Sequence, residues 1–373
     1  MRVLFHTAPI ATHTLPLVPL AWAMRSAGHD VVFATSGEGA VVRKAGLCTV
    51  GIAPDFEIRD LFAPLFERHQ GLFESREPTA AETATLDEIY GALNSRLAPG
   101  LIEAAEKWRP DVVIHDTSAI AGALCAAVLG VPAIQHDIAV ESSRGLRERV
   151  VAWMPEALDR FGVTGLPADE PVINIVPPSV EPDGQYGWPM RNVPYSGSAP
   201  LADLTVTNSR PTVAVTMGLT TGDMGPVGRI IDAAREVDAD FLLALSGFDP
   251  SEYGTLPPNV QALGWTPLAD LLPHCTAVIN HGGAGTVLAA MAVGVPQLIF
   301  PGGIGHYRTA EAISRRGVGL LGHTDEIGPA LFRRFLDDDK LRRAAAEVQA
   351  ENEAMPSPAD LVPRIVGLVE KSK

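Results

Sequence analysis

The sequence predicts an α/β fold made of two tandem doubly wound parallel-sheet domains facing a central cleft. Three observations predict it. Short apolar runs of strand character alternate with amphipathic stretches of helical period, the pattern of βαβ units. The alternation starts twice, near residues 2 and 211, on either side of a proline-rich passage at 165–200. The length of 373 residues also exceeds one sheet domain of typical size and suits two of roughly 150–200 residues.

The first unit opens with a buried-type strand over 2–5, a helix over 13–26 ended by Gly28, and a strand over 31–34, joined by right-handed parallel crossovers. A third strand is expected over 46–50 and irregular chain over 54–83. A helix over 82–108, a strand over 111–115, a helix over 118–129 and a strand over 132–135 follow. The passage 165–200 reads as a linker containing one strand. The second unit has strands over 211–217, 241–245, 260–263, 277–280 and 297–300, each followed by a helical pattern, and closing helices over 336–350 and 360–370. The expected domains are 1–190 and 191–356, with a final helix in 357–373. Doubly wound sheets bind ligands at the carboxyl ends of their strands, which puts the site in the cleft.

Hydrophobic residues make up 46% and charged residues 20% of the chain, the composition of a packed α/β protein. A formal net charge of -15 argues against nucleic-acid or anionic-membrane partners, so any phosphate chemistry must rest on local groups. Cys48, Cys125 and Cys275 form no CxxC pair, which indicates neither a disulfide framework nor a zinc site and fits a cytoplasmic setting. The chain opens directly into a strand, and its longest uncharged run, 117–135, is cut by Gly122, Gly130 and Pro132, so neither a signal peptide nor a membrane span is expected.

The stretch 280–303, NHGGAGTVLAAMAVGVPQLIFPGG, concentrates the chemistry. A strand, a glycine turn and a helix make a phosphate seat. Glycines let the backbone approach an anion, and the first N–H groups of a helix lack internal partners at the positive end of its dipole. His281 and Thr286 flank the turn as side-chain donors.

The order of these parts resembles the bacterial natural-product glycosyltransferases of the GT-B class, which move a deoxysugar from a dTDP-sugar to a small acceptor. The likeness runs from VLFHTAPIATHTLPLVPLAWAMRSAGHDVVFAT through PDVVIHDTSAIAGALCAAVLGVPAI to LGWTPLADLLPHCTAVINHGGAGTVLAAMAVGVPQLIFPGG. It implies two Rossmann-like domains, the first binding the acceptor and the second the nucleotide sugar, with the last helix crossing back onto the first domain. It also implies base stacking by Trp265. His281 would contact the β-phosphate, Gly283, Ala284, Gly285 and Thr286 would cradle the diphosphate, and the loop carrying Gly218 and Thr220 would cover it. No metal or other cofactor is expected, because a helix terminus and a histidine can stabilise a departing diphosphate. Asp337, Asp338 and Asp339 look like an acidic metal motif, but their setting before a helix favours N-capping.

Two departures from the wider family bear on the donor. Plant relatives carry a ribose-binding glutamate where this chain has Ala289, which fits dTDP better than UDP. Relatives have Asp-Gln after the PGG-type turn where this chain has Gly305 and His306. Loss of that carboxylate suggests a donor poor in hydroxyls, such as a 2,6-dideoxyhexose, contacted by His306 and Tyr307.

His13 lies in the HxxP pattern where relatives place the catalytic base, and imidazole titrates near neutrality. Asp116, ending DVVIHD, would fix its tautomer. Asp137, in IQHD, is a second candidate base. A hydrophobic aromatic acceptor of the polyketide type is expected to meet Phe56, Phe62, Phe66, Phe73, Trp153, Met154 and Phe161, a concentration that stands out when aromatics are 6% overall. The expected reaction is inverting, giving an O- or C-glycoside in antibiotic biosynthesis. A homodimer is compatible with the sequence. Two other readings stay open: a GT-B nucleotide-sugar epimerase or hydrolase, and a non-catalytic partner that keeps the fold. A nicotinamide enzyme is disfavoured because the first turn lacks GxGxxG.

Overall fold

Period-two alternation along the strands divides the core onto the two faces of each sheet. Val3 and Phe5 of β1 (Arg2–His6) face one core cluster with Val112 and Ile114 of β4 (Val112–Asp116). Leu4 and Val113 between them face the other. The computed structural model describes all residues except 60, 62, 64–76, 78, 182–183, 200–209, 219–225, 246–248 and 264–265. Strands buried on both faces must be covered by helices on both, which is the doubly wound arrangement.

The first sheet also holds β2 (Asp30–Thr35), β3 (Cys48–Gly51), β5 (Ala133–His136), β6 (Val172–Asn174) and β7 (Trp188–Pro189), in the order β3-β2-β1-β4-β5-β6-β7. The second holds β8 (Thr212–Thr216), β9 (Asp240–Leu243), β10 (Val260–Ala262), β11 (Ala277–Asn280), β12 (Gln297–Ile299) and β13 (Gly319–Leu321), in the order β10-β9-β8-β11-β12-β13. Every pairing in both sheets is parallel. Strand order reverses between β1 and β4 in the first sheet and between β8 and β11 in the second. Those two crevices are where such sheets bind ligands.

Three differences from the sequence reading have local causes. The passage 165–200 carries two strands, β6 and β7, which extend the first sheet; at three and two residues they are too short to show a period. Strand β13, apolar but only three residues long, has no counterpart among the expected elements. Where one helix was read over 336–350, one helix ends at Leu336 and the next spans Asp339–Ala354, because the Asp338 side chain accepts from the N–H groups of Lys340 and Leu341.

The long helix Ala80–Trp108 starts at a capping box in which Thr79 and Glu82 satisfy each other's backbone N–H. Its Gly100 lies so close to β3's outgoing chain that a Cβ there would fall 1.8 Å from the Ile52 carbonyl oxygen. The last helix, Pro358–Lys371, packs on the helix Val18–Ser26. Its Leu361, Val362, Ile365 and Val369 share one core with Leu17, Val18 and Leu20. The Arg364 guanidinium covers the Trp188 ring at 4.1 Å. No described helix is long and apolar enough to cross a membrane.

Candidate active site

In the first crevice, Asp116 ends β4 and His13 lies in the short helix Ala11–Thr14 that follows β1. Asp116 is fully buried. Its Oδ2 accepts the Ala8 N–H at 2.7 Å, and its Oδ1 accepts the Ser118 N–H and hydroxyl, both at 2.8 Å. His13 Nδ1 stands 3.3 Å from the same Oδ1 and 3.0 Å from Ser118 Oγ. Since the Ser118 hydroxyl proton goes to Asp116, this network assigns a proton to His13 Nδ1 and leaves Nε2 as the basic atom. Burial opposes ionisation of Asp116, but His13, the Ala8 N–H and Ser118 outweigh it and hold the carboxyl well below the usual range. The His13 side chain keeps 21% exposure, enough for a partner to reach it.

Asp137 has a different environment. Its Oδ1 accepts from Thr117 Oγ1 at 3.0 Å and Gln135 Nε2 at 2.7 Å. Its Oδ2 accepts from Ser143 Oγ at 3.1 Å and from the Tyr186 hydroxyl. Four donors fill the four lone-pair directions of this buried carboxylate. The structure therefore gives Asp137 the geometry of a fastening point that binds the loop after β5 to Thr117 and Tyr186. His136 beside it is buried and turned to the Asp137 carbonyl at 2.7 Å, with its pKa lowered to about 4, chiefly by burial.

In the second crevice, Gly218 follows β8 and His281 follows β11. The buried Asn280 holds the turn, its Oδ1 accepting the Gly282 N–H at 2.8 Å and its amide donating to Gln297 at 3.2 Å. Gly282 takes φ +91 and Gly218 φ +83, values that suit glycine. The His281 ring lies between two glycines: a Cβ on Gly218 would fall 2.6 Å from Cε1, and one on Gly283 2.5 Å from Nε2. The helix Ala284–Ala292 then begins at Gly283 with no side-chain cap, so the seat at Gly283, Ala284, Gly285 and Thr286 presents first-turn N–H groups. His281 meets His306 edge to face, centroids 4.6 Å apart. Burial first, then His306, lowers the His281 pKa to about 4, and burial lowers that of His306.

His306 and Tyr307 stand in the first turn of the helix Ile304–Arg316, together with Gly305. The space beside Gly305 is not short of a carboxylate. Glu141, from the loop after β5 in the first sheet, brings Oε1 to 2.8 Å from where a Gly305 Cβ would be, and its Oε2 lies 3.6 Å from Arg308. Glu141 thus brings a carboxylate from the first sheet's half of the chain to the place where Gly305 lacks one.

Among the described residues, three of the expected acceptor side chains, Phe56, Met154 and Phe161, meet in one core cluster. Phe56 and Phe161 are half-buried against the core under the long helix, and Met154 is enclosed within it at 1% exposure. Trp153 is 44% exposed and packs its Cβ over Gly91, where an added Cβ would come within 2.3 Å. Phe62, Phe66, Phe73, Thr220 and Trp265 lie outside the described residues. Ala289 is buried in a cluster with Leu271, Leu272 and Val278. Ser118, Glu141, Tyr186 and Asn280 were not singled out in the sequence. Ser118 and Asn280 stand within two residues of Asp116 and Gly282, the one signal that marked them, whereas Glu141 and Tyr186 meet partners far along the chain.

Comparison with known proteins converges on one family. Residues 22–218 match the family described as erythromycin biosynthesis protein CIII-like, N-terminal domain, and residues 228–368 match its C-terminal domain. The elloramycin glycosyltransferase ElmGT of Streptomyces olivaceus is 36% identical over 98% of this chain and 97% of its own. The glycosyltransferase SnogD from Streptomyces nogalater superposes with a TM-score of 0.85 at 36% identity, covering 99% of each chain. SsfS6 of Streptomyces sp. SF2575, a glycosyltransferase solved in complex with thymidine diphosphate, gives a TM-score of 0.83 at 28% identity, over 98% of this chain and 99% of that one. The two crevices, one at each sheet's reversal, are thus the halves of a GT-B cleft, and the chain belongs to the EryCIII-like glycosyltransferases.

Proposed function

We propose that this glycosyltransferase moves a deoxysugar from a dTDP-sugar to an aromatic polyketide acceptor, with inversion at the anomeric carbon and without a metal ion. The observation that carries the reading is the His13–Asp116 pair at the reversal of the first sheet, a base held in one tautomer by a buried carboxylate. His13 Nε2 takes the proton of the acceptor hydroxyl or carbon acid as that atom attacks the anomeric carbon. The bond from that carbon to the diphosphate oxygen breaks on the opposite face, and its electron pair leaves with dTDP. No covalent sugar–enzyme intermediate forms.

The leaving diphosphate is met by the first-turn N–H groups of Ala284, Gly285 and Thr286 and by His281. His281, neutral at pH 7, acts there as a hydrogen-bond donor whose buried Nδ1 has no partner among the described residues. The thymidine diphosphate in the related SsfS6 supports dTDP as carrier, and the named relative ElmGT, an elloramycin glycosyltransferase, supports an antibiotic acceptor. A mass-spectrometric screen of dTDP-deoxysugars against polyketide aglycones, with and without chelator, tests the reading. The expected result is a glycoside of inverted anomeric configuration formed equally in chelator. Release of free sugar with no glycoside would favour a hydrolase.

A further inference from the structure

Glu141 belongs by sequence to the first sheet's half of the cleft and by contact to the second half. Its Oε1 lies 2.8 Å from the position a Cβ would take on Gly305, and its Oε2 faces Arg308 at 3.6 Å. A side chain at 305 would displace it, and a carboxylate there would add charge repulsion to the clash. The glycine therefore makes room for a carboxylate that arrives from the other domain.

The position of Glu141 is built. The loop that carries it is fixed on one side by Asp137, through Thr117, Gln135 and Tyr186, and on the other by Ser143, which bonds both Asp137 and Tyr186. The positive end of the helix Ile304–Arg316 attracts the carboxylate. Arg308, 54% exposed and at 3.6 Å, leaves it with acceptor capacity. Burial raises the Glu141 pKa and Arg308 partly offsets this, so the group stands in a partly water-excluded space. Glu141 thus lies against the first turn of the helix that carries His306.

We propose that Glu141 is a donor-specificity residue that accepts a hydrogen bond from a ring hydroxyl of the transferred sugar, supplied across the cleft in place of an acid on the donor helix. The inference rests on the dTDP-sugar reading above. It makes recognition of the sugar depend on both domains, while recognition of the nucleotide depends on one.

The test measures calorimetric binding of dTDP and of a dTDP-2,6-dideoxyhexose to the wild type, Glu141→Ala, Glu141→Gln and the double variant Glu141→Ala/Gly305→Asp. The nucleotide sugar should bind Glu141→Ala about tenfold more weakly than wild type, while dTDP alone stays within about twofold. Glu141→Gln keeps the shape and should lose about threefold or more for the nucleotide sugar alone. Returning a carboxylate from the donor helix in the double variant should recover part of the loss. Equal weakening of both ligands would make Glu141 a domain-bridging residue only, and unchanged binding of both would remove it from the site; either overturns the inference. Failure of the wild type to bind dTDP would overturn the donor reading itself, and this inference with it.

Discussion

His281 and His306 meet edge to face, rings 4.6 Å apart at 85°, and Nδ1 of each is buried without a hydrogen-bond partner among the described residues. Leaving two such atoms unpaired costs free energy that a bound anion can offset. The same burial keeps both rings neutral, which lets them stand together without repulsion.

Fold stability should fall on mild acidification. His6, His136 and His281 have pKa values lowered from 6.5 to about 4, in each case first by burial. They are neutral when folded and protonated when unfolded between those values, so the unfolded chain binds more protons there. Stability is complete above pH 6.5 and is lost as pH falls towards 4. His115 acts in the opposite sense, since Glu170, at 2.5 Å, outweighs burial and raises its pKa. Each of His6, His136 and His281 should cost about 2 kcal/mol between pH 7.5 and 5, and His115 offsets part of the sum. Urea midpoints at the two pH values measure it, and His136→Gln should flatten the profile; equal midpoints would show that these histidines are not responsible.

The glycines beside His281 should be intolerant of a methyl group. Gly283→Ala puts a Cβ 2.5 Å from His281 Nε2, and Gly218→Ala puts one 2.6 Å from Cε1 at a backbone with φ +83. In either variant the His281 ring must move, since Cβ atoms do not approach other atoms so closely. The expected effect is about a tenfold loss of dTDP affinity. Calorimetry checks it, with Gly165→Ala as control, because a Cβ on Gly165 meets nothing within 4 Å and Gly165 lies away from the seat.

What was legible in the sequence followed from local pattern. Strands buried on both faces, such as β1 and β11, are continuous apolar runs, and the glycine turn after β11 announces itself by composition. His13 and Asp116 could be paired because each follows or ends such a strand. Residues whose meaning lies in long-range contact left no such mark. Glu141 is one more acid in a loop until Gly305, from the other sheet's half of the chain, is placed beside it. Asp137 is a second candidate base by its strand-end position, whereas the donors Gln135, Ser143 and Tyr186 that converge on it are visible only in the fold.

Loss of the base should act on turnover and not on donor binding. His13→Ala is expected to lower kcat by about 10²- to 10⁴-fold with dTDP affinity unchanged. Asp116→Asn should lower kcat by about 10²-fold or more, because an amide cannot support the imidazolium and would turn a donor towards Ala8 N–H or Ser118. Steady-state kinetics with a fixed donor and aglycone decide the point. A His13→Ala enzyme that retains wild-type kcat would remove His13 from the mechanism.

Asp137 offers the sharpest contrast, because fastening and base catalysis move different observables. Asp137→Asn keeps the size of the side chain but replaces two acceptor lone pairs by two donors in a site where all four neighbours donate. At least one buried donor then loses its partner, at a cost of about 1–3 kcal/mol. The melting temperature should therefore drop, and the nucleotide-sugar KM should rise as the loop holding Glu141 loosens, while kcat at saturating donor falls by less than about tenfold. A kcat reduced by about 10³-fold at an unchanged melting temperature would instead make Asp137 the base, since a proton acceptor can be lost without loosening the loop.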